Sequence, residues 1–181
     1  MKKLLLLLII PFLSFGQDIP KFKLQPGLLD KIVITVDSLS TEALYNKTIN
    51  WVKESYASPD NVLKSEIKNE KIRIRGYEKN VFRYKLLGMV YMYDVDYSIE
   101  FEFKESRLRM SYYTNQIFNS KELSKWELGS THDVFWDEKH RKRKNVKKNF
   151  DQAIIDYEKH MNRIVSGLYN YLKKPIQEDN W

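Results

Sequence analysis

From Met89 to Phe103 every second residue is large and apolar: Met89, Tyr91, Tyr93, Val95, Tyr97, Ile99, Phe101 and Phe103 follow one another without a break. Between them, in the later part of the run, stand Asp94, Asp96, Ser98, Glu100 and Glu102. A side-chain period of two belongs to a β-strand, whose successive side chains point to opposite faces. A strand this long with one apolar and one charged face needs partner strands for its backbone. It also needs a second layer over its apolar face only. The run therefore predicts a one-sided antiparallel sheet backed by helices, an α+β chain with the odd-numbered residues turned towards the helices.

The partners are readable on either side. "KIVITVD" (31–37) alternates Ile32, Ile34 and Val36 against Lys31, Val33 and Thr35, a first strand. A helix follows, with Ser40 as N-cap, Glu42 near its positive end, Leu39 meeting Leu44 as a staple, and Pro59 stopping it. Its buried stripe is Tyr45, Ile49, Val52 and Tyr56, with Leu44, Thr48 and Trp51 beside it. Two hairpins come next. A turn at Asn69-Glu70 sets Ile67 opposite Ile72, Glu66 opposite Arg73, Ser65 opposite Ile74 and Lys64 opposite Arg75. A turn at Glu105-Ser106 sets Phe103 opposite Leu108, Glu102 opposite Arg109, Phe101 opposite Met110 and Ile99 opposite Tyr112. Neither pair contains glycine, so a shift of one residue or a longer bulged turn stays open.

Periodicity is lost from Asn115 to Lys148, where Trp126, Phe135 and Trp136 are isolated anchors. It returns in Phe150, Ile154, Tyr157, Met161, Ile164, Leu168 and Tyr171, spaced alternately four and three, which predicts a helix over 150–172 capped by Asn149 and ended by Lys173 and Pro175. Such a seam packs on a sheet or mates with a second copy; with little more than three heptads, core packing is the expectation, leaving a monomer or a weak dimer through this helix. His160, next to Met161, is expected on the wet flank.

The chain starts with Lys2 and Lys3, an apolar run of ten residues from Leu4 to Leu13, and small residues at Ser14 and Gly16. That is the pattern of a secretory signal peptide cleaved near Gly16-Gln17, and the run is shorter than the roughly 18 residues of a membrane-crossing helix. There is no cysteine, hence no disulfide and no lipid on a cysteine. The expected organisation is a signal peptide over 1–16, an irregular leader over 17–30 and a single domain over 31–173. An irregular insertion with a basic run occupies 115–148, and a tail covers 174–181. A periplasmic or secreted protein of about 165 residues, without a transmembrane segment after cleavage, is held together by its core.

The order strand, helix, four strands, long helix resembles a secreted bacterial family of unknown function described as having a TATA-box-binding-protein-like (TBP-like) fold. The residues that carry the resemblance are "ITVDSLSTEALYNKTINWVKESY", with its Ser-rich cap, "LYNK" and Trp51, then "KIRIRGY", "VDYSIEFEFKESRLRMSYYT" and the last amphipathic helix, together spanning about residues 30 to 172. The resemblance implies a β-α-β-β-β-β-α order and a curved antiparallel sheet with helices on one face. It implies no activity and no catalytic residues, and the 115–148 segment has no counterpart in the pattern.

A saddle that binds duplex DNA needs a basic and neutral polar sheet face. Here the outer face of the long strand is acidic and would meet phosphates at an electrostatic cost, so DNA is not the expected partner. Of the formal net charge of +7, two units sit on Lys2 and Lys3; Lys139 to Lys148 alone holds seven Lys and Arg, so the rest of the chain is near balance. Catalytic and cofactor patterns are thin. Ser130, His132 and Asp133 are neighbours in sequence, whereas triads are assembled from distant segments. The histidines lack zinc-ligand spacing, the acidic strand residues lack a glycine-containing calcium loop, and there is no dinucleotide, phosphate-loop or nucleophile-elbow motif. No metal, no cofactor and no enzymatic activity are expected.

The reading is a non-catalytic module that binds a protein, peptide or envelope component through the outer sheet face. Lys64, Arg73, Arg75, Asp94, Asp96, Glu100 and Arg109 are its candidate contacts, with the cations at one end and Asp94 and Asp96 at the other. Two alternatives stay open. One is an anionic-surface binder for lipid headgroups, glycan or nucleic acid, using Lys139, Arg141, Lys142, Arg143 and Lys144 with Trp126, Phe135 and Trp136. The other is an uncharacterised hydrolase around Ser130 and His132. The basic run itself is expected as a solvated loop.

Overall fold

The computed structural model describes residues 19–25, 31–37, 39–119, 125–126, 135–136 and 138–175. The sheet is antiparallel, built from β1 (Lys31–Thr35), β2 (Leu63–Ile67), β3 (Lys71–Leu86), β4 (Met89–Lys104), β5 (Arg107–Asn119) and a two-residue β6 (Lys125–Trp126). Their order is β1-β5-β4-β3-β2, and β6 shares the β5 edge with β1 further along. The helices are α1 (Thr41–Ser55), the short α2 (Pro59–Val62) and α3 (Glu138–Arg141), and the long α4 (Lys144–Leu172).

The predicted sidedness holds. Tyr93, Val95, Tyr97, Ile99, Phe101 and Phe103 are all buried, and Trp51 and Tyr45 of α1 set their rings edge-on against Phe101 and Phe103 at 6.2 and 5.6 Å. Ser40 caps α1 as expected, accepting from the Ala43 amide at 3.1 Å. The helix ends before Pro59, which instead opens the first turn of α2, where its missing N–H is not needed.

One hairpin keeps its expected register, and two elements of the sheet depart from expectation. The β4–β5 hairpin has the predicted register, Phe103 opposite Leu108 and Ile99 opposite Tyr112, with Ser106 at φ 58° in the turn. The β2–β3 hairpin is one residue out, with Ile67 opposite Lys71, Glu66 opposite Ile72 and Ser65 opposite Arg73. Its turn takes three residues, with Asn69 at φ 62°, a conformation that asparagine tolerates. A one-residue slip exchanges the faces of a strand. Ile67 is accordingly half-exposed on the outer side, while Glu66 turns to the helix side and accepts from the Tyr45 hydroxyl at 2.9 Å. The second departure is β3, which runs on past Tyr77 to Leu86 and pairs with β4 along its whole length, through a bulge between Glu78 and Phe82 and a tight turn at Leu87-Gly88.

The long helix starts at Lys144, six residues before the predicted Phe150, and is about 43 Å long. Its seam faces the sheet of its own chain: Phe150, Ile154, Tyr157, Met161, Ile164 and Leu168 are buried in the core. Lys47 of α1 donates to the Leu172 and Lys174 carbonyls, placing a cation at the negative end of the helix. Residues 19–25 lie along α4, with the Phe22 amide donating to Asn162 Oδ1 at 2.6 Å and the Leu24 amide to Glu158 at 2.9 Å. Among the described residues no helix is long and apolar enough to cross a membrane; the 1–16 segment lies outside them.

Candidate binding face

The registers place three rows of side chains across the sheet face turned away from the helices. One row reads Val33, Arg109, Glu102, Lys71, Ile67; the next reads Lys31, Ser111, Glu100, Arg73, Ser65; a third joins Tyr113, Ser98 and Arg75. Most of the charges are bound in three cross-strand pairs. Lys71 Nζ lies 3.0 Å from Glu100, Arg75 holds Asp96 through Nε at 3.0 Å and Nη2 at 2.5 Å, and Arg109 pairs with Glu102. Opposite charges across strands contribute roughly 0.2–1 kcal/mol each. Around this ladder Val33, Ile67, Tyr77 and Tyr113 present large apolar surfaces to solvent.

The predicted contact residues divide into two groups. Arg73, Glu100 and Arg109 lie on the face as expected, Arg73 exposed between Ser65 and Glu100. Lys64 does not oppose Arg75; it sits at the irregularity between Leu63 and Ser65, exposed. Asp94 and Asp96 point to the outer side but are buried, as is Ser98, so they are not a negative pole of an exposed platform. Asp94 accepts from the Tyr77 hydroxyl at 2.5 Å and the Asn80 amide at 2.8 Å. Asp96 accepts from Arg75 and from Asn115 Nδ2 at 2.9 Å, and Asn115 also bonds Ser98. Carboxylates at the centre of a sheet are shielded by the long side chains of both neighbouring strands, and each is compensated by donors, as burial requires.

Burial pushes the Asp96 carboxyl up, but the hydrogen bonds from Arg75 and Asn115 and the arginine charge outweigh it and hold it below the usual carboxylate range. The Tyr77 phenol, hydrogen-bonded to Asp94 and partly desolvated beside it, is pushed up to about 12. It therefore serves as a neutral donor rather than a nucleophile at ordinary pH. The bulge that brings the Asn80 amide to Asp94, with Asn80 at φ 55°, had no sequence signature beyond an asparagine inside a strand.

The basic run is helical rather than a loop, divided between α3 and the first turns of α4. Arg141 is committed internally: Nη1 donates to the Phe135 carbonyl at 2.6 Å, Nη2 to Asp151 at 2.5 Å, and the guanidinium lies 5.0 Å from the Trp136 ring centre. Phe135 is buried against Phe82, and Trp136 is half-buried. Neither forms an exposed aromatic surface beside the cations. Lys142, Arg143 and Lys144 are exposed, as is Lys139. Ser130, His132 and Asp133 lie outside the described residues, and nothing is described of the side chains of Trp126 and His140.

His160 is not on a wet flank. It is buried among the rings of Tyr97, Tyr112 and Tyr157 at 5.5, 6.4 and 6.4 Å, with Nε2 enclosed and unpartnered and Nδ1 3.4 Å from Arg163. Burial lowers its pKa to about 4, so the ring is neutral. The available signal was its spacing, three after Tyr157 and four before Ile164, which widens the buried stripe beyond the seam. His160 stands at the wall of an open groove of about 690 Å³ between the β3 bulge and α4, bordered by the ion pairs Arg163–Glu78 at 2.6 Å and Arg83–Asp156 at 3.3 Å. Among the described residues no group of three or more His, Asp or Glu side chains is placed to hold a metal ion.

An antiparallel open sheet in this strand order, with helices on one face, is the α+β architecture of TBP-like proteins. Residues 31–117 match the model of the domain-of-unknown-function family DUF4468 with TBP-like fold, which places this segment in that family. Two solved structures share the fold. A TBP-like protein from Parabacteroides distasonis superposes with a TM-score of 0.55 at 11% identity, over 80% of this chain and 91% of that one. A DUF4468 family protein from Bacteroides ovatus gives 0.57 at 14% identity, over 82% and 87%. No curated protein matches the chain.

Proposed function

We propose that the protein is an exported, non-catalytic binding module that recognises a protein or peptide of the cell envelope through its outer sheet face. The observation that carries this is the distribution of exposed apolar side chains. Val33, Ile67, Tyr77 and Tyr113, from four different strands, all stand on this one face, set around a ladder of paired charges. Tyrosine in particular supplies large contact area at low entropic cost, and a polar surround with aromatic anchors is the usual anatomy of a recognition surface. Neutralised cross-strand pairs favour a partner of mixed rather than single-sign charge. Export rests on the leader pattern of Met1 to Gly16.

The test is site-specific photo-crosslinking in envelope extracts with the probe placed at position 113, at 73, and at Lys53 on the helix side. Crosslinks to a common partner from 113 and 73 but not 53, lost with Arg73→Glu while the thermal transition is unchanged, are expected. Equal crosslinking from all three positions, or a partner retained by Arg73→Glu, would remove this face as the recognition surface.

A further inference from the structure

The tip of the β3–β4 hairpin and the start of α4 form one corner of the molecule. Successive contacts trace the two elements side by side: Glu78 with Arg163, Arg83 with Asp156, Tyr84 with Phe150 at 5.7 Å, and Asn149 Nδ2 donating to the Lys85 carbonyl at 2.5 Å. As β3 approaches its turn, α4 runs back towards its own N-terminus. The turns from Lys144 to Lys148 therefore lie alongside the hairpin tip. At that tip Leu87 is 90% exposed, Met89 56% and Val90 47%. Lys85, Lys142, Arg143, Lys144, Lys147 and Lys148 are exposed around it. Only Lys147 of these has an ion-pair partner among the described residues, Asp151 at 4.0 Å.

Both halves of this corner are unfavourable in water. Leu87 occupies a turn position at φ 48°, where asparagine or aspartate is the ordinary choice, and it exposes nearly its whole side chain. The α4 N-terminus has no side-chain cap and no acidic residue in its first turn, so its cations stand at the positive end of the helix dipole. One environment relieves both conflicts: an interface that is apolar below and negatively charged above.

We infer that this corner docks on the surface of a bilayer containing anionic phospholipid, with Leu87, Met89 and Val90 entering the headgroup–acyl boundary and Lys85 and the 142–148 cations on the phosphates. Apolar insertion and electrostatic attraction add in such interfacial binding. Each cation near a negatively charged bilayer multiplies the partition coefficient by roughly five, so neutralising three lowers it about 100-fold. This site is separate from the sheet face proposed for protein recognition and stands without it.

The chain has no cysteine, so a single one can be placed at will. The full chain carrying Leu87→Cys, labelled with an environment-sensitive fluorophore, is mixed with vesicles of phosphatidylglycerol and phosphatidylcholine, with brominated lipid as quencher. Ile67→Cys, in β2 opposite the far end of β3 from the tip, is the control. Expected are a blue shift and quenching at 87 but not at 67, no effect on pure phosphatidylcholine, reversal at high salt, and a loss of about 100-fold on Lys142→Gln/Arg143→Gln/Lys144→Gln. A label at 87 that stays in water while the protein binds the vesicles would overturn the inference. So would equal quenching without anionic lipid, or binding insensitive to the three neutralisations. Capture of duplex DNA or a sulfated glycan by the 142–144 cations without any response at 87 would assign them to a soluble polyanion instead, and also overturns it.

Discussion

Acidification should weaken the fold through His160 before it weakens it through most carboxylates. In the unfolded chain its imidazole takes up a proton near its ordinary pKa of 6.5; in the folded chain, enclosed by Tyr97, Tyr112 and Tyr157, it does so only near 4. The Glu78 charge favours protonation and the Arg163 charge opposes it, and neither outweighs burial. Between the two values the unfolded state binds the extra proton, so stability falls with falling pH, by about 1.4 kcal/mol per unit at most. From pH 7.5 to 4.5 the loss from this one residue is about 2–3 kcal/mol, a large share of an ordinary domain's stability. Urea unfolding followed by tryptophan fluorescence at the two pH values measures it. His160→Phe keeps a ring among the tyrosines and removes both the titration and the unpartnered Nε2. The variant should lose about 2–3 kcal/mol of the wild-type pH dependence across that window. If His160→Phe loses as much stability as wild type, or if the imidazole titrates by NMR above about 6, the burial argument fails.

The remaining predictions concern the sheet. A Cβ at Gly76 would overlap the Tyr97 ring, which is stacked on Tyr112 at 5.2 Å and hydrogen-bonded to Tyr56 at 3.3 Å. Gly76→Ala should cost about 1–3 kcal/mol in thermal or urea unfolding. Combination with Tyr97→Leu should cost less than the two single changes together, and strict additivity would show that the ring moves aside freely. Arg75→Met leaves buried Asp96 with Asn115 as its one remaining side-chain donor among the described residues and should destabilise by about 1–3 kcal/mol at pH 7. The native Asp96 pKa is depressed, so its contribution is present above the ordinary carboxylate range and fades as pH falls through the folded value. The Arg75→Met penalty should therefore shrink at pH 3; an equal penalty at both pH values would mean that the ion pair does not stabilise the fold.

Which side of the sheet each β4 residue faces was legible, because alternation is a local property of the backbone. The β4–β5 register followed from it as well, since only one alignment puts Phe101 and Phe103 beside Met110 and Leu108. The β2–β3 register did not follow. A short strand with few apolar residues leaves the choice to the turn, and Asn69 accepts a left-handed conformation that lengthens it by one residue. The candidate contacts failed where depth mattered: a period of two says that Asp94 and Asp96 face outward, not that Arg75, Tyr77 and Asn115 from the adjacent strands close over them.

The chain's own pattern thus determined a one-sided sheet, its helix layer, the cap at Ser40 and the core seam of the last helix, because each depends on residues within a few positions of one another. The tertiary structure alone decided what surrounds each side chain. Packing along β3 continues α4 beyond its apolar seam, turns Arg141 inward, and sets the remaining cations beside Leu87. Residues more than fifty positions apart meet there, and their meeting depends on how strand and helix lie against each other, a distance that periodicity does not encode.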